Sequence, residues 1–125
     1  LWLDGIRVEV KASRAVDKDS DEPLYMKALS KNTTRRFLMN FQQLKPQCCD
    51  VFVWVAVFRD DIVVWVINAQ VVSNHQLFSS GQHRGNNGNE GQLHITNENI
   101  HLFDNYILPD NHLEKAIRNA TIRKR

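Results

Sequence analysis

The chain has 125 residues, of which 42% are hydrophobic, and a net charge of +2, so it is large enough for one hydrophobic core and too short for two. Charged residues interrupt its most hydrophobic part, residues 51–67, which excludes the run of about 20 apolar residues that spans a membrane. Its two cysteines, Cys48 and Cys49, are adjacent, a geometry poorly suited to a mutual bridge, and no other cysteine exists to form a disulfide framework or a four-ligand zinc site. This favours a reducing, cytoplasmic setting.

The chain begins with a predicted β-hairpin. Asp4 and Gly5 form a strong turn pair between two short strands, residues 1–3 and 6–12. Because the first strand already begins at Leu1, we expect further residues, or a whole domain, upstream of this sequence.

The second strand of the hairpin carries the residues that point to chemistry. The two-residue period of a strand places Glu9 and Lys11 on the face opposite Val8 and Val10, about 7 Å apart. A carboxylate that can bind a divalent cation and an ammonium that can orient a water or steady a phosphate oxygen are what metal-assisted phosphodiester hydrolysis requires. The alternative is structural, because any half-buried antiparallel strand can carry a Glu and a Lys on its solvated face.

The middle of the chain is predicted to form a long irregular segment, followed by the strands of one central sheet. Residues 13–35 lack a hydrophobic period, and their apolar stretch, residues 24–29, fits either a short helix or a short strand. Alternation over residues 36–41 predicts a third strand. Residues 51–58 and 62–67 are apolar on both faces, so we expect them to pair as the buried heart of the sheet.

The last third of the chain predicts a loop, an edge strand and a helix. Glycine and amide side chains dominate residues 79–91, which predicts an irregular loop, and residues 92–96 alternate as an edge strand does. A terminal helix is predicted after Pro109, with Asn111 as its cap. Its apolar residues form one stripe that would cover a face of the sheet: Leu113, Ala116, Ile117 and Ala120.

With these elements placed, the opening of the chain resembles the metal-binding hairpin of the PD-(D/E)XK nuclease superfamily, which has the restriction-endonuclease-like fold. The second signature of that family is an acidic residue on a strand, then an apolar residue, then a lysine, and Glu9, Val10 and Lys11 match it. Residues 37–41, then residues 49–55 and the hairpin at Asp60 and Asp61, are similar in order to the strands that follow the site in type II restriction endonucleases. Residues 81–93 resemble a late loop of some of these enzymes.

The resemblance implies an α/β fold with a mixed central β-sheet flanked by helices, formed by residues 1–125 as a single nuclease-like domain. It also implies a Mg²⁺-dependent DNA endonuclease of the restriction type, with Glu9 and Lys11 as catalytic residues and with Glu9, Asp4 and the Val10 carbonyl as metal ligands. The first acidic residue of the family usually lies further upstream of Glu9 than Asp4 does. Either Asp4 serves from the predicted turn, or the true first carboxylate precedes the sequence, and we favour the second.

Side chains that read DNA are concentrated in the predicted late loop. Amide, imidazole and guanidinium groups reach base edges and phosphates, and the neighbouring glycines allow close approach of the backbone. The candidate DNA-binding residues are Gln82, His83, Arg84, Asn87 and Gln92. An ordinary flexible polar loop has the same composition, and the sequence leaves both interpretations open.

Two other functions stay open. A junction resolvase or repair nuclease of the same fold would cut double-stranded DNA by its structure, and a catalytically silent DNA-binding or interaction module would keep the fold without the reaction. A homodimer would suit the cutting of both strands, and exposed Trp2, Trp54 and Trp65 could form its interface. The five histidines show no paired ligand spacing, so the sequence does not predict a zinc site.

Overall fold

The structure, a computed structural model, describes residues 1–80, 90–109 and 112–122. Within these ranges the chain is a mixed α/β protein with two four-stranded sheets and few helices, none of them long and apolar enough to cross a membrane. The strands are β1 (Trp2–Leu3), β2 (Ile6–Arg14), β3 (Val16–Asp17), β4 (Phe37–Leu44), β5 (Val51–Val57), β6 (Ile62–Asn68), β7 (Phe78–Ser80) and β8 (Gly91–Thr96). The helices are α1 (Leu24–Lys27), α2 (Ala69–Ser73) and α3 (Leu113–Ile122), with 3-10 helices at Pro46–Cys48 and Ile100–Tyr106.

The first sheet, with strand order β1-β2-β5-β6, is built around the most apolar stretch of the sequence. β5 and β6 are antiparallel neighbours with Trp54 opposite Trp65, which confirms the predicted pairing of the two strands that are apolar on both faces. β2 lies on the other side of β5 and runs parallel to it, with Val8 beside Val51. β5 is therefore the strand that brings β2, with its polar residues, into the centre of the protein.

The predicted opening hairpin is confirmed. β1 and β2 pair with Leu3 opposite Ile6, so Asp4 and Gly5 form a two-residue turn. Both turn residues lie in the left-handed region, with φ of 47° at Asp4 and 86° at Gly5, as the favoured tight hairpin turn requires. The turn fixes the register of β2, and hence which of its side chains share a face.

A second sheet, with strand order β3-β4-β8-β7, corrects the prediction of one central sheet. The alternating strands predicted over residues 36–41 and 92–96 belong to this second layer, which packs its apolar face against the first sheet. β8 lies between β4 and β7, so its prediction as an edge strand is wrong. β7 also includes Ser79 and Ser80, which the composition assigns to the loop.

The chain passes from the first sheet to the second where β2 leads into β3. The prediction of an irregular segment over residues 13–35 is wrong at its start, because β2 extends to Arg14 and β3 follows directly after the buried Ala15. The apolar stretch that fits either a helix or a strand forms α1, a helix of one turn. β2 and β3 together therefore connect the two sheets along one continuous run of backbone.

The main core lies between the two sheets and is rich in aromatic rings. Phe41 of β4 stacks on Trp54 of β5 at a centroid distance of 4.7 Å, and Phe103 packs against both Trp54 and Trp65. These two tryptophans are buried, so the expectation that they are exposed for dimerisation is wrong. Trp2, on β1, is exposed.

α3 covers the other face of the first sheet, as predicted. Ile117 and Ala120 are buried there, whereas Leu113 is 40% exposed, so the contact stripe is narrower than the sequence predicts. The predicted cap, Asn111, lies outside the described residues. The strand residues that form this second cluster with the helix are Val8, Val51, Val53 and Val66.

Candidate functional site

Glu9 and Lys11 project from the same face of β2, as the two-residue period predicts. The Nζ atom of Lys11 lies 3.7 Å from Oε1 of Glu9, which makes the contact an ion pair rather than a hydrogen bond. The side chains of Lys11 and Glu9 are 26% and 29% exposed, respectively. The pair is thus partly withdrawn from water and still accessible to a ligand.

The face that carries this pair is turned towards the main core. On the neighbouring strand β5, Glu9 lies beside Phe52 and Lys11 beside Trp54, and both aromatic residues are buried between the sheets. Val10, which points the other way, is 48% exposed. The structural alternative, a Glu and a Lys on the solvated face of an antiparallel strand, does not describe this arrangement.

One carboxylate oxygen of Glu9 is buried without a partner. Its Oε2 atom accepts no hydrogen bond from the described part of the chain. Burial of a carboxylate oxygen without a donor costs free energy, so such atoms are rare in native proteins. A cation or a hydrogen-bond donor bound from outside the chain would satisfy this oxygen.

The backbone of Val10 faces an open edge of the first sheet. Alternate residues of β2 bond to β5, and the residues between them face the opposite edge. On that edge Val8 exchanges hydrogen bonds of 2.8 and 3.1 Å with Leu1, and Val16 pairs with β4 further along the chain. No described strand pairs with the edge between these two points. The Val10 carbonyl therefore faces the stretch of this edge that no described strand pairs with, between the pairing with β1 and the pairing of β3 with β4.

β4 contacts β2 near this stretch, at Asn40. The backbone N–H of Asn40 donates a hydrogen bond of 3.0 Å to Oγ of Ser13, which shares the face of Glu9 and Lys11 on β2. The side-chain oxygen of Asn40 is buried and, like Glu9 Oε2, accepts no hydrogen bond from the described residues. Sequence reasoning missed both Ser13 and Asn40, since β4 carries three amide side chains, Asn40, Gln42 and Gln43, and the sequence does not distinguish the first from the other two.

Asp4 does not join this pair. Its carboxylate is 73% exposed and forms an ion pair with Arg118 of α3, which also binds Glu114 at 2.9 Å. α3 packs on the face of the first sheet opposite to the one that carries Glu9. The structure therefore brings Glu9 and Lys11 together and holds the Asp4 carboxylate on the helix side of the sheet.

A second charged pair lies at the start of β5, next to the site. Asp50 accepts hydrogen bonds of 3.0 and 3.3 Å from the Arg7 guanidinium and one of 2.8 Å from the Arg7 backbone N–H. The side-chain bonds, followed by the backbone bond, lower the pKa of Asp50, and the same contact raises the pKa of Arg7. Burial, with a smaller contribution from the Glu9 charge, raises the pKa of Cys49 to about 12. The thiol beside Glu9 is thus protonated at neutral pH.

Most of the predicted DNA-binding residues fall outside the described ranges. Gln82, His83, Arg84 and Asn87 are among them. Gln92 lies on β8 opposite Ser79 of β7 and is half-buried. Contact of this segment with DNA stays a prediction.

The oxygen donors of the site fit a hard cation. No group of three or more His, Cys, Asp and Glu side chains in the described residues could hold a metal ion. Mg²⁺, however, keeps several of its waters and is commonly bound through one or two carboxylates together with substrate phosphate. The unpartnered Oε2 of Glu9 and the outward carbonyl of Val10 are oxygen donors of that kind, so the residues present fit Mg²⁺ with most of its ligands left to water and substrate.

Comparisons with known proteins identify no family for this chain. No family model, no curated protein and no solved structure matches it. Any function must therefore be argued from the strand-borne residues, their burial and their contacts.

Proposed function

We propose that the protein is a Mg²⁺-dependent DNA endonuclease with a restriction-endonuclease-like arrangement. The unpartnered Oε2 of Glu9, held beside the Lys11 ammonium at an open strand edge, carries this proposal. A partly buried carboxylate and ammonium with unmet bonding capacity are unfavourable for stability, and such groups concentrate at sites that act on a ligand. The match of Glu9, Val10 and Lys11 to the nuclease signature supports the same assignment.

Each group of the chain has a separate role in this proposal. Glu9 and the Val10 carbonyl would hold Mg²⁺, which when bound makes water a better nucleophile and neutralises charge on the attacked phosphate. Lys11 donates a hydrogen bond to the attacking water or to a phosphate oxygen, which orients the reactants and stabilises the charge that develops at phosphorus. The substrate is double-stranded DNA, and no covalent intermediate with the protein is needed.

A catalytically silent DNA-binding or interaction module is the second candidate. It is favoured by the lack of any group of three metal-ligating side chains in the described residues and by the ion pair that Glu9 forms with Lys11. In that case the pair only neutralises two charges at the edge of the core. Cleavage separates the two candidates, because a silent module binds without cutting.

The test is a cleavage assay with Mg²⁺ on plasmid, linear duplex and branched DNA. We expect Lys11→Ala to lower the cleavage rate by at least about 100-fold with DNA affinity nearly unchanged, since Lys11 acts on the transition state. Glu9→Gln should abolish the dependence of the rate on Mg²⁺. Preference for branched over linear substrates would assign the site to a junction resolvase or repair nuclease.

Lys31→Ala is the matched control. Lys31 forms an exposed ion pair with Asp61 at 3.3 Å, away from β2, so its loss should leave cleavage unchanged. Cleavage by Lys11→Ala at the wild-type rate removes Lys11 from the mechanism, and DNA binding without any cleavage by the wild type favours the silent module.

Arg84 gives a separate test of DNA recognition. If its guanidinium contacts a phosphate, Arg84→Ala should weaken binding and reduce the slope of log affinity against log salt concentration by about 1. An unchanged affinity and slope would mean that the predicted loop is only an ordinary polar connection.

A further inference from the structure

Trp2 differs from the other two tryptophans of the chain because its side chain lies in solvent. The residue is 71% exposed, whereas Trp54 and Trp65 are buried in the main core. Indole rings combine a large apolar surface with a polar N–H, and they are enriched where proteins bind their partners. A single exposed apolar side chain is nevertheless normal on a protein surface, so the groups around Trp2 decide whether it has a role.

The pairing of β1 with β2 places Trp2 on the face that carries Glu9. Trp2 lies directly opposite Arg7, and side chains paired in this way project from the same face of an antiparallel ladder. Glu9 follows Arg7 by one side-chain repeat of β2, which makes it the diagonal neighbour of Trp2, about 7–8 Å away. An adjoining nucleotide can span this distance, so a nucleic acid whose phosphate is bound near Glu9 can reach the ring.

Arg7 lies next to Trp2 and is held in place by Asp50. Its guanidinium donates hydrogen bonds of 3.0 and 3.3 Å to that carboxylate and stays 45% exposed. These bonds use two of its five N–H donors, so others can bind a phosphate oxygen. Arg7, Lys11 and the Trp2 ring thus give one face two cations and an aromatic surface, which is the combination that binds unpaired nucleic acid. Asp50 and Glu9 balance the two cations, so a cation bound at Glu9 would increase the attraction for phosphate.

We propose that Trp2 stacks on an unpaired base next to the phosphate bound at Glu9 and Lys11. The inference rests on the proposed function for the position of that phosphate. A base inside a duplex is covered by its neighbours on both sides, so an indole ring can stack only on a base that has left the helix. The substrate class is therefore double-stranded DNA with an unpaired nucleotide beside the cut, at a branch, a mismatch or a single-stranded overhang.

Tryptophan fluorescence tests the stacking contact. Because Trp54 and Trp65 are buried, a base that stacks on the protein from outside should quench the emission of Trp2. A duplex with a single-stranded overhang is compared with a blunt duplex of equal length, both with phosphorothioate linkages that resist cleavage, in Mg²⁺ and again in EDTA. We expect the overhang duplex, and not the blunt one, to quench the emission and to protect the ring from acrylamide.

Two substitutions of Trp2 separate the ring from the rest of the fold. Trp2→Leu should weaken binding of the overhang duplex about 10-fold and leave the affinity for the blunt duplex unchanged, because only the unpaired base loses its stacking partner. Trp2→Phe keeps an aromatic face, so it should abolish the quenching while it retains most of the affinity.

Leu1→Ala is the matched control. Leu1 is 81% exposed and bonds to Val8 through its backbone, so its side chain lies on the opposite face of the hairpin from Trp2. Its loss should change neither affinity. The inference is overturned if the overhang duplex causes no quenching, or if Trp2→Leu weakens both duplexes equally. Self-association of the wild type without DNA, abolished by Trp2→Leu, would assign the ring to a contact between copies instead.

Cleavage separates this inference from the proposed function. With Mg²⁺ and ordinary phosphodiester DNA below saturation, Trp2→Leu should slow cleavage of a branched or overhang substrate about 10-fold and leave cleavage of a perfect duplex unchanged. Quenching that depends on Trp2, without any cleavage, supports the stacking contact and counts against the nuclease. Cleavage of every substrate at the wild-type rate by Trp2→Leu rejects the inference alone.

Discussion

Arg7 binds Asp50 through both its side chain and its backbone. The guanidinium donates two hydrogen bonds to the carboxylate and the Arg7 N–H donates a third, while the Arg7 carbonyl accepts from the Asp50 N–H at 2.8 Å. These four bonds join the start of β2 to the start of β5, two residues before Glu9. They fix the strand that carries the candidate site at the point where its parallel pairing begins.

Asp50→Asn should destabilise the protein at neutral pH and not in acid. The Asp50 pKa is lower in the folded than in the unfolded state, so the ionised carboxylate contributes stability above a pH of about 4, which is lost as the pH falls through the folded-state value. Because the pair is partly exposed, solvent screening limits the expected loss to about 0.5–1 kcal/mol. Urea unfolding of the wild type and of Asp50→Asn between about pH 7 and pH 2.5 measures this loss. A difference in free energy of unfolding that stays constant over that range would contradict the prediction.

Local chemistry and the strand period allowed part of this structure to be predicted. Asp4 and Gly5 specify a tight turn through their own conformational preferences, so the hairpin was predictable from four residues. The shared direction of Glu9 and Lys11 follows from the same period. Sequence reasoning could not show which partner covers that face, because the inward orientation depends on contacts with β5 and the second sheet, far away in the sequence.

The aromatic core shows the same limit. Trp54 and Trp65 are recognisable as sheet residues, but their burial depends on Phe41 from β4 and Phe103 from a 3-10 helix near the end of the chain. The second sheet is a non-local feature of this kind, since β4 pairs with β8 across more than 40 intervening residues. Composition alone indicates that such strands exist but does not show to which sheet each belongs.

His75 should make the protein less stable below a pH of about 6.5. Its ring stacks on Phe103 at 5.0 Å, and its Nδ1 accepts the Leu77 N–H at 3.1 Å, which requires an unprotonated nitrogen. Burial lowers its pKa in the folded state, so its contribution to stability is complete above the unfolded value and is lost as the pH falls towards the folded one. His75→Asn keeps an acceptor and cannot titrate, and its urea midpoint should change less than that of the wild type from about pH 7.5 to pH 5.5.

His101→Asn is the control for this comparison, because His101 is exposed. Its pH profile should follow that of the wild type. Parallel profiles for the wild type and His75→Asn would show that another group causes the acid sensitivity.

Gly91→Ala should destabilise the pairing of β7 with β8. A Cβ atom at Gly91 would lie 2.4 Å from Cζ of Phe78 and 2.5 Å from the backbone oxygen of Ser79, so both the ring and the strand would have to move. Overpacking of this kind costs about 1–3 kcal/mol, which thermal or urea unfolding detects. The companion substitution Phe78→Leu should recover only part of the loss, because the Ser79 backbone contact persists. An unchanged midpoint for Gly91→Ala would show that β7 shifts freely.

Asn68 connects α2 and α3 to the end of β6, and its two hydrogen bonds can be separated by mutation. Its Oδ1 accepts the Gln70 N–H at 2.8 Å as the N-cap of α2, and its Nδ2 donates to the Ala120 carbonyl of α3 at 2.9 Å. Asn68→Ala removes both bonds and should lower the free energy of unfolding by about 2–3 kcal/mol. Asn68→Ser keeps a capping oxygen and loses the bond to α3, so it should cost about 1 kcal/mol less than Asn68→Ala. Hydrogen exchange then locates the effect, because Asn68→Ser should increase exchange in α3 while protection in α2 is kept, and equal losses in both helices would mean that the serine does not cap α2.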